Sequence, residues 1–432
     1  MIKFLFWLRH IGTTTKGVII MIGLIEALRE NDNSKRNLFV GSTMSMGYPS
    51  RLAPMLDYML GYNVHVYEGD QYIETYPSLG IKDGSIVTLA GKSSTAKTTM
   101  AIQIASNIVR NYPQGVVIHY DVERAMNYTR IASLSRFTMP EIQNGKYILR
   151  REHTTIQDIK RSIAGIYMEK MNNPEKYLVT ENVKNEFNQP TVMLTPTVCI
   201  IDSIASLLSD INENTKDGKE RLVEVATQTD QMRRAAEIGR FFNEVMPMMS
   251  SANIILICVN HIHTRGSIGV PQPAELQWLG QDETIPGGKN SVYLTNTLIK
   301  STSIGSMKFN KDDDGFNGTG IRLMIVKSRG NANGKSVDLV LNLSKGIDYL
   351  RSAIEFANSL GFVGGDKRGK YFLDHKEVKW KPATVYMDFK DHPELADILF
   401  EIIKDPLSNF LQEQAPVKTE DNEEEIALQY RY

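Results

Sequence analysis

Short apolar runs alternate with helical periodicity through the middle of this 432-residue chain. The first run, at 85–91, is rich in apolar and β-branched residues and predicts a buried strand. A helix is predicted over about 97–111, and 115–121 predicts a second strand. A strand, a helix and a strand at this spacing form a βαβ unit, whose strands run parallel with a right-handed crossover.

The same alternation continues toward the C-terminus. Helical periodicity recurs over 154–171 and roughly 220–249, and the polar, turn-rich stretch 172–190 predicts an excursion from the core. Further strands are predicted at 197–202, 253–261, 291–302, 320–328 and 336–343. This order is typical of an α/β fold with a mostly parallel central sheet flanked by helices.

Four regions differ in character along the chain. They are an N-terminal arm over 1–58, the α/β core over 59–347, a small C-terminal α/β unit over 348–412 and an acidic tail over 413–432. The apolar stretches of the arm are too short for a signal sequence or a membrane span, so we expect a segment that docks on a partner subunit. The tail is expected to be solvated, with a regulatory role as the alternative.

Composition narrows the classes of function. A hydrophobic fraction of 42% and a charged fraction of 23% are typical of a globular protein. The net charge of -1 gives no overall basic field, so a polyanion must bind at local loops or patches. Cys199 and Cys258 lie in apolar runs, which predicts buried thiols in a reducing compartment. With the short apolar stretches of the arm, this leads us to expect a cytoplasmic protein that does not bind membranes.

Residues 89–100, LAGKSSTAKTTM, have the spacing of a phosphate-binding loop. Gly91 is followed after four residues by Ala96, Lys97 and Thr98. Such a loop requires inward backbone N–H groups, a lysine on the β- and γ-phosphates and a hydroxyl on Mg²⁺. Ala96 stands where glycine is usual, at a cost of roughly 1–2 kcal/mol if that position is left-handed. The alternative is an ordinary strand-turn-helix that contains a lysine.

Two carboxylates lie where a nucleotide site needs them. Asp202 ends the strand at 197–202 and can hold Mg²⁺ through water, although a turn or helix-capping aspartate is the plain alternative. Glu123 lies just beyond the strand that follows the phosphate-loop helix. In a parallel sheet this tip faces the γ-phosphate, where a carboxylate can polarise an attacking water. A surface glutamate is the alternative.

Six segments occur in the order found in RecA-fold strand-exchange proteins: LAGKSSTAKTT, IHYDVER, VCIIDSIASL, ILICVNHIH, PGGKNSVYLTNTLIKST and IVKSRGNANGKS. With AIEFANSLGFV and KWKPATVYMDF they cover roughly 59–402. The chain therefore resembles the RecA-fold recombinases, in particular the UvsX type of tailed phages, which also tolerate a non-glycine residue before the loop lysine. The insertion within 172–196 departs from the family pattern, and so does Arg130, where the family often has an aromatic residue.

The resemblance implies a site for ATP and Mg²⁺. Glu123 would activate water, and His261 would sense the γ-phosphate. Lys327 and Arg329 would reach the nucleotide of a neighbouring subunit. The residues implied to bind the nucleotide are Gly91, Ser93, Ser94, Thr95, Ala96, Lys97, Thr98, Thr99, Asp202, Tyr128 and Arg130. Thr98 and Asp202 would support the Mg²⁺ ion, partly through water.

Two polar loops, at 209–221 and 263–289, would contact DNA in a protein of this kind. The first has a run of cations, and the second closes on two glycines whose N–H groups can cradle a phosphate. The residues implied to bind DNA are Lys216, Lys219, Arg221, Arg265, Trp278, Gly287, Gly288 and Lys289. Trp278 could equally fill a subunit interface.

The leading hypothesis is a DNA-dependent ATPase that forms helical filaments on single-stranded DNA and catalyses homologous pairing and strand exchange. Its expected partners are single- and double-stranded DNA, further copies of itself, a single-strand-binding protein and a recombination mediator. A hexameric replicative helicase shares the core but carries a sizeable helical domain before it, for which the arm leaves little room. The third hypothesis is a non-catalytic ATP-binding paralogue, against which the presence of Glu123 speaks.

Overall fold

The computed structural model describes most of the chain between the arm and the tail. The described residues are 46–69, 71–152, 154–207, 228–264, 276–280, 282–286, 292–307, 318–329, 332–366 and 368–411. The tail and the first 45 residues of the arm therefore lie outside the described residues.

The described strands and helices alternate as the sequence predicts for the core. The strands are β1 (Gly47–Tyr48), β2 (Tyr62–Glu68), β3 (Gln71–Ser78), β4 (Ile81–Lys82), β5 (Ile86–Gly91), β6 (Val116–Asp121), β7 (Tyr147–Arg150), β8 (Leu178–Lys184), β9 (Pro190–Leu194), β10 (Thr197–Asp202), β11 (Ile254–His261), β12 (His263–Thr264), β13 (Glu283–Thr284), β14 (Thr297–Met307), β15 (Gly318–Ser328), β16 (Ser336–Asn342), β17 (Gly346–Ile347), β18 (Val363–Asp366), β19 (Gly369–Phe372) and β20 (His375–Trp380). The α-helices are α1 (Pro54–Leu60), α2 (Lys97–Val109), α3 (Tyr128–Ser135), α4 (Met139–Gln143), α5 (Ile156–Asn172), α6 (Gln228–Ala252), α7 (Tyr349–Ser359), α8 (Val385–Asp391) and α9 (Glu394–Ser408).

A nine-stranded sheet forms the centre of the described chain, in the order β17-β16-β15-β14-β5-β11-β10-β6-β7. The strands from β14 to β7 in this order run parallel. On the other side of β14, the strands β15, β16 and β17 pair antiparallel. The predicted α/β class with a mostly parallel central sheet is confirmed. Because β5 lies between β11 and β14, the loop after it leaves from the middle of the sheet.

Different helices cover the two faces of the sheet. Val198 and Ile200 of β10 belong to an apolar cluster that includes residues of α2. Cys199 and Ile201 belong to a second cluster, which includes residues of α5 and α6. Side chains alternate along a strand, so a strand that is apolar at every position needs cover on both faces. Cys199 and Cys258 are buried free thiols, as the apolar runs predicted.

Three segments differ from the sequence predictions. The excursion at 172–190 contains β8 and ends where β9 begins, and these two strands pair as a hairpin. Half-buried and exposed positions alternate along β8, a strand signal that its polar composition obscured. Within 291–302 the strand begins only at Thr297, because 292–294 form a helical turn. A further hairpin, β2 with β3, lies where no strand was predicted.

A smaller group of elements follows the main sheet. It contains α7, the antiparallel sheet β18-β19-β20, α8 and α9. Ala353 of α7 and Leu395 and Leu399 of α9 lie in the same apolar cluster as Met55 and Met59 of α1. This unit therefore shares its core with the segment that precedes the sheet. No helix among the described residues is long and apolar enough to cross a membrane.

Candidate functional site

Close contacts shape the loop between β5 and α2 at its first residue. Gly91 pairs with His261 on one side and with Ser301 on the other. A Cβ atom at Gly91 would lie 2.5 Å from the carbonyl oxygen of Ser301 and 2.6 Å from Thr95 Oγ1. No side chain fits there, so glycine is required. Ser301 Oγ donates to the carbonyl of Thr95 at 2.5 Å, which holds the loop against β14.

Ala96 adopts the conformation that usually calls for glycine. It is the N-cap of α2, with φ 62° and ψ 16°. Ser94 has the same φ, and both Ser93 and Ser94 are exposed, while Thr99 is half-buried in the first turn of the helix. A non-glycine residue in the left-handed region is strained by roughly 1–2 kcal/mol. The loop thus keeps the shape that its spacing predicts, with strain that glycine would avoid.

Lys97 lies inside the loop. It is only 6% exposed, and its Nζ donates to the carbonyl of Lys92 at 2.7 Å. Burial lowers the pKa of Lys97, whereas the carboxylates of Asp202 and Glu123 raise it. The described hydrogen bond uses one of the three donors of the ammonium group. The loop therefore presents a buried cation of the kind that binds phosphate.

Thr98 and Asp202 meet at the tips of two elements. Thr98 Oγ1 donates to Asp202 Oδ2 at 2.6 Å. Burial raises the pKa of Asp202 to about 6, with a smaller upward contribution from the charges of Glu123 and Asp121, although the Thr98 hydrogen bond and Lys97 act against it. A cation beside Asp202 would favour the ionised carboxylate. A divalent cation bound at this corner would therefore offset the negative charge of the neighbouring carboxylates.

Glu123 reaches the same corner from the loop after β6. Its N–H donates to the carbonyl of Asp202 at 3.3 Å, and its Oε1 lies 3.1 Å from His261 Nε2. Burial raises the pKa of Glu123, but hydrogen bonds from Ser203 and His261 and the charge of Lys97 outweigh this effect. The pKa therefore lies below its usual value. Glu123 is ionised near neutral pH and can accept a hydrogen bond from water.

The residues of this corner fit a nucleoside triphosphate with Mg²⁺. The N-terminus of α2 and the buried Lys97 offer a cradle for phosphate groups. Among the residues that the structure describes, no group of three or more His, Cys, Asp or Glu side chains could hold a metal ion. An Mg²⁺ ion would therefore take Thr98, Asp202 through water, and phosphate oxygens as ligands.

Three neighbours of the site were not predicted as site residues. Ser203 contacts Glu123, and its place directly after the strand-end aspartate was a usable signal. Asn260 Nδ2 donates to the carbonyl of Pro286 at 2.8 Å, which ties β11 to the end of the long polar loop. Ser301 reaches the phosphate loop only through the register of β14 on β5, for which the sequence has no local signal.

The two candidates for a contact with the base differ in their surroundings. Tyr128 begins α3 and is 43% exposed. The Arg130 guanidinium donates to the carbonyls of Ser344 at 2.8 Å and Leu343 at 3.0 Å. Arg130 is thus tied to the turn between β16 and β17, whereas the ring of Tyr128 is open to solvent.

The two cations near the end of β15 also differ. Lys327 Nζ donates to the carbonyls of Tyr293 at 2.6 Å, Val292 at 2.9 Å and Thr295 at 3.1 Å. It thereby caps the helical turn at 292–294. Arg329 lies just beyond the strand and is exposed. The structure does not bring either of them to the phosphate loop of the same chain.

Trp278 packs on the turn between β15 and β16. A Cβ atom at Gly334, where φ is 80°, would lie 2.5 Å from Trp278 Cζ2, so only glycine fits beneath the ring. The indole is still 41% exposed. The other residues predicted to bind DNA lie outside the described residues; they are Lys216, Lys219, Arg221, Arg265, Gly287, Gly288 and Lys289.

Comparison with known proteins confirms the predicted resemblance. No family model matches the chain. The recombination and repair protein of Enterobacteria phage T4 is 25% identical over 300 residues, which are 69% of this chain and 64% of the phage protein. RecA of Mycoplasma mobile is 21% identical over 333 residues, 75% of this chain and 82% of that protein. RecA of Teredinibacter turnerae is 21% identical over 364 residues, 81% of this chain and 90% of that protein. The match to the phage protein thus spans less than two thirds of its length. This chain is therefore similar to recombination proteins of the RecA type, among them a phage recombination and repair protein.

Proposed function

We propose that this chain is a DNA-dependent ATPase that polymerises on single-stranded DNA and catalyses homologous pairing and strand exchange, with ATP and Mg²⁺ as cofactors. One observation carries the proposal: four separate segments bring a buried lysine, a hydroxyl, two carboxylates and a histidine to one edge of the sheet. These side chains are Lys97, Thr98, Glu123, Asp202 and His261. The names of the relatives favour recombination over other uses of an ATPase site.

The chain's own residues divide the chemistry of hydrolysis. Lys97 and the first N–H groups of α2 would bind and orient the phosphates. The ionised Glu123 would accept a hydrogen bond from the attacking water, and His261, 3.1 Å from its Oε1, would orient that carboxylate. Bound Mg²⁺ would neutralise charge on the phosphate oxygens.

A second copy of the chain would complete the site. A cation delivered across an interface makes hydrolysis depend on assembly. Arg329 is exposed, whereas Lys327 is bonded to three carbonyls of its own chain, so we assign the trans role to Arg329. The polar loops at 209–221 and 263–289 would hold the DNA backbone, which couples the state of the nucleotide to the grip on DNA.

Phosphate release and electron microscopy together test this function. We expect single-stranded DNA to stimulate phosphate release about tenfold or more, because assembly on DNA delivers the missing cation. With single-stranded DNA and a non-hydrolysable ATP analogue, the protein should form open helical filaments. Exchange between a circular single strand and a homologous duplex should then require ATP.

Two outcomes would contradict the proposal. Closed rings that unwind a forked duplex, without strand exchange, would identify a helicase. Filaments that form with ATP but release no phosphate, with or without DNA, would identify a non-catalytic filament protein.

A further inference from the structure

The indole of Trp278 lies on the turn between β15 and β16, and the same turn carries Arg329. A Cβ atom at Gly334 would lie 2.5 Å from Cζ2 of the indole and 2.7 Å from both Cε2 and Cη2. An approach to the edge of the ring would leave two of these atoms clearly farther away than the third. The glycine therefore lies over the face of the six-membered ring.

Backbone contacts join the part of the turn beneath the ring to Arg329. Asn333 directly precedes Gly334, and its Oδ1 accepts a hydrogen bond from the N–H of Ser328 at 2.5 Å. The next residue, Arg329, donates its N–H to the carbonyl of Asn296 at 3.1 Å. A shift of Gly334 would thus reach the backbone of Arg329 through two adjacent residues, without passing through 330–331, which lie outside the described residues.

The other face of the indole is open. Trp278 is 41% exposed although one face lies on Gly334, which is what a ring covered on a single side retains. The next residue, Leu279, is buried in an apolar cluster with Leu298 of β14 and Val326 of β15, so the backbone that carries the indole is fixed to the sheet. An aromatic ring that is held in place with one free face can stack on an unpaired base.

We propose that Trp278 is a positioning residue that transmits DNA binding to Arg329. A base of the single strand stacks on the free face of the indole and holds the opposite face against Gly334. This restrains the turn, and with it the guanidinium that serves the nucleotide of the neighbouring subunit. The inference rests on the proposed function, which supplies the trans role of Arg329. Loss of Trp278 should therefore impair the neighbour's site rather than the site of its own chain.

Trp278→Ala in the full chain is measured at saturating single-stranded DNA, so that a weaker affinity for DNA does not affect the rate. We expect the maximal rate of phosphate release to fall about tenfold with an unchanged KM for ATP, because the trans cation acts on the transition state. Trp278→Phe keeps an aromatic face and should retain most of the rate. Phe187→Ala removes an exposed aromatic side chain between β8 and β9 and should behave as the wild type.

Mixtures with a second variant show which subunit's site depends on Trp278. In filaments of Trp278→Ala and Glu123→Gln, an intact Glu123 meets a restrained Arg329 at roughly a quarter of the interfaces, so phosphate release should recover toward that fraction of the wild-type rate. In filaments of Trp278→Ala and Arg329→Ala, every intact Arg329 belongs to a chain without Trp278, so no recovery is expected. A role of Trp278 in its own subunit's site predicts the reverse pattern.

The outcomes separate this inference from the proposed function. The reverse pattern of recovery would overturn the inference alone, and so would equal rates for Trp278→Ala and Phe187→Ala. Electron microscopy should show filaments of Trp278→Ala on single-stranded DNA; their loss would assign the ring to a contact between subunits and also overturn the inference. A wild-type protein whose phosphate release does not respond to DNA would reject the proposed function and this inference together.

Discussion

Two lysines are buried at opposite ends of the parallel strands, and their partners differ. Lys97 lies where β5 ends, and its Nζ donates to a single carbonyl at 2.7 Å. Lys170 of α5 is 2% exposed and lies where β10 and β11 begin. Its Nζ donates to the carbonyls of Thr195 at 2.7 Å, Ala252 at 2.9 Å and Asn253 at 3.5 Å.

The two lysines also differ in the charged groups around them, since carboxylates lie near Lys97 but not among the groups that affect Lys170. Burial lowers the pKa of both. For Lys97 the carboxylates of Asp202 and Glu123 act against this effect. Burial lowers the pKa of Lys170 to about 7, opposed only by Cys199. Lys170 therefore gives all its donors to carbonyls of the fold, whereas Lys97 leaves two donors for a ligand. The partners of a buried lysine, rather than its burial, indicate its function.

The largest expected effect is that of Lys97→Ala. Loss of the buried cation should abolish ATP binding and reduce DNA-stimulated phosphate release about a thousandfold or more. The melting temperature without nucleotide should change little, because only one hydrogen bond to the loop is lost. Equilibrium binding of a fluorescent ATP analogue and phosphate release would be measured together. Normal nucleotide binding by this variant would remove Lys97 from the site.

Glu123→Gln should separate binding from chemistry. The amide keeps the shape of the side chain but cannot act as a base, so turnover should fall about 10²–10⁴-fold while ATP binding persists. Filaments with ATP should last longer, because hydrolysis no longer releases them. Nucleotide binding and phosphate release would be measured side by side. Turnover within a factor of about two of the wild type would show that another group activates the water.

Lys170→Met should have the opposite effects to Lys97→Ala, lowering stability while leaving activity unchanged. Three buried carbonyls lose a donor, so the free energy of unfolding at neutral pH should fall by about 2 kcal/mol. Phosphate release per folded molecule should be unchanged. Lys160→Met on the same helix is the control, since its ammonium pairs with Glu244 at the surface and should matter by less than about 0.5 kcal/mol. Equal losses of stability in the two variants would contradict the structural role of Lys170.

Lys170 should also make the free energy of unfolding depend on pH. Its pKa is about 7 in the folded chain and 10.5 as the ordinary value. Between these pH values the unfolded chain binds more protons, so the contribution of Lys170 to the free energy of unfolding should rise as pH increases from 7 toward 10.5. Urea unfolding at several pH values would detect the slope. Lys170→Met should lack it, and parallel profiles for the two proteins would contradict the assignment.

The smallest expected effect is that of Ala96→Gly. Glycine adopts φ 62° without strain, so the free energy of unfolding should rise by about 1 kcal/mol. Nucleotide binding should be retained, because the backbone N–H groups of the loop stay in place. Thermal melting without nucleotide measures the change. A lower melting temperature would show that Ala96 contributes packing that outweighs its strain.

The sequence predicts the parts of this molecule that depend on local pattern. The apolar runs of β5, β10 and β11 and the spacing from Gly91 to Lys97 are local signals, and the structure shows those strands and that loop. The position of β14 beside β5 is a non-local pairing, so the contact of Ser301 with the loop had no signal. Lys170 lies in a polar part of its helix, and its burial depends on the loops that β10 and β11 bring to it. The hairpin of β8 with β9 was missed because polar composition outweighed alternation.

If two copies of the chain complete each nucleotide site, a mixture of two inactive variants should regain activity that neither has alone. Glu123→Gln lacks the base and Arg329→Ala lacks the proposed trans cation, so each alone should be nearly inactive in DNA-stimulated phosphate release. In a filament of both, an intact Glu123 meets an intact neighbouring Arg329 at roughly a quarter of the interfaces. Phosphate release by the mixture should therefore recover toward that fraction of the wild-type rate. A mixture that stays at the average of the two variants would contradict it.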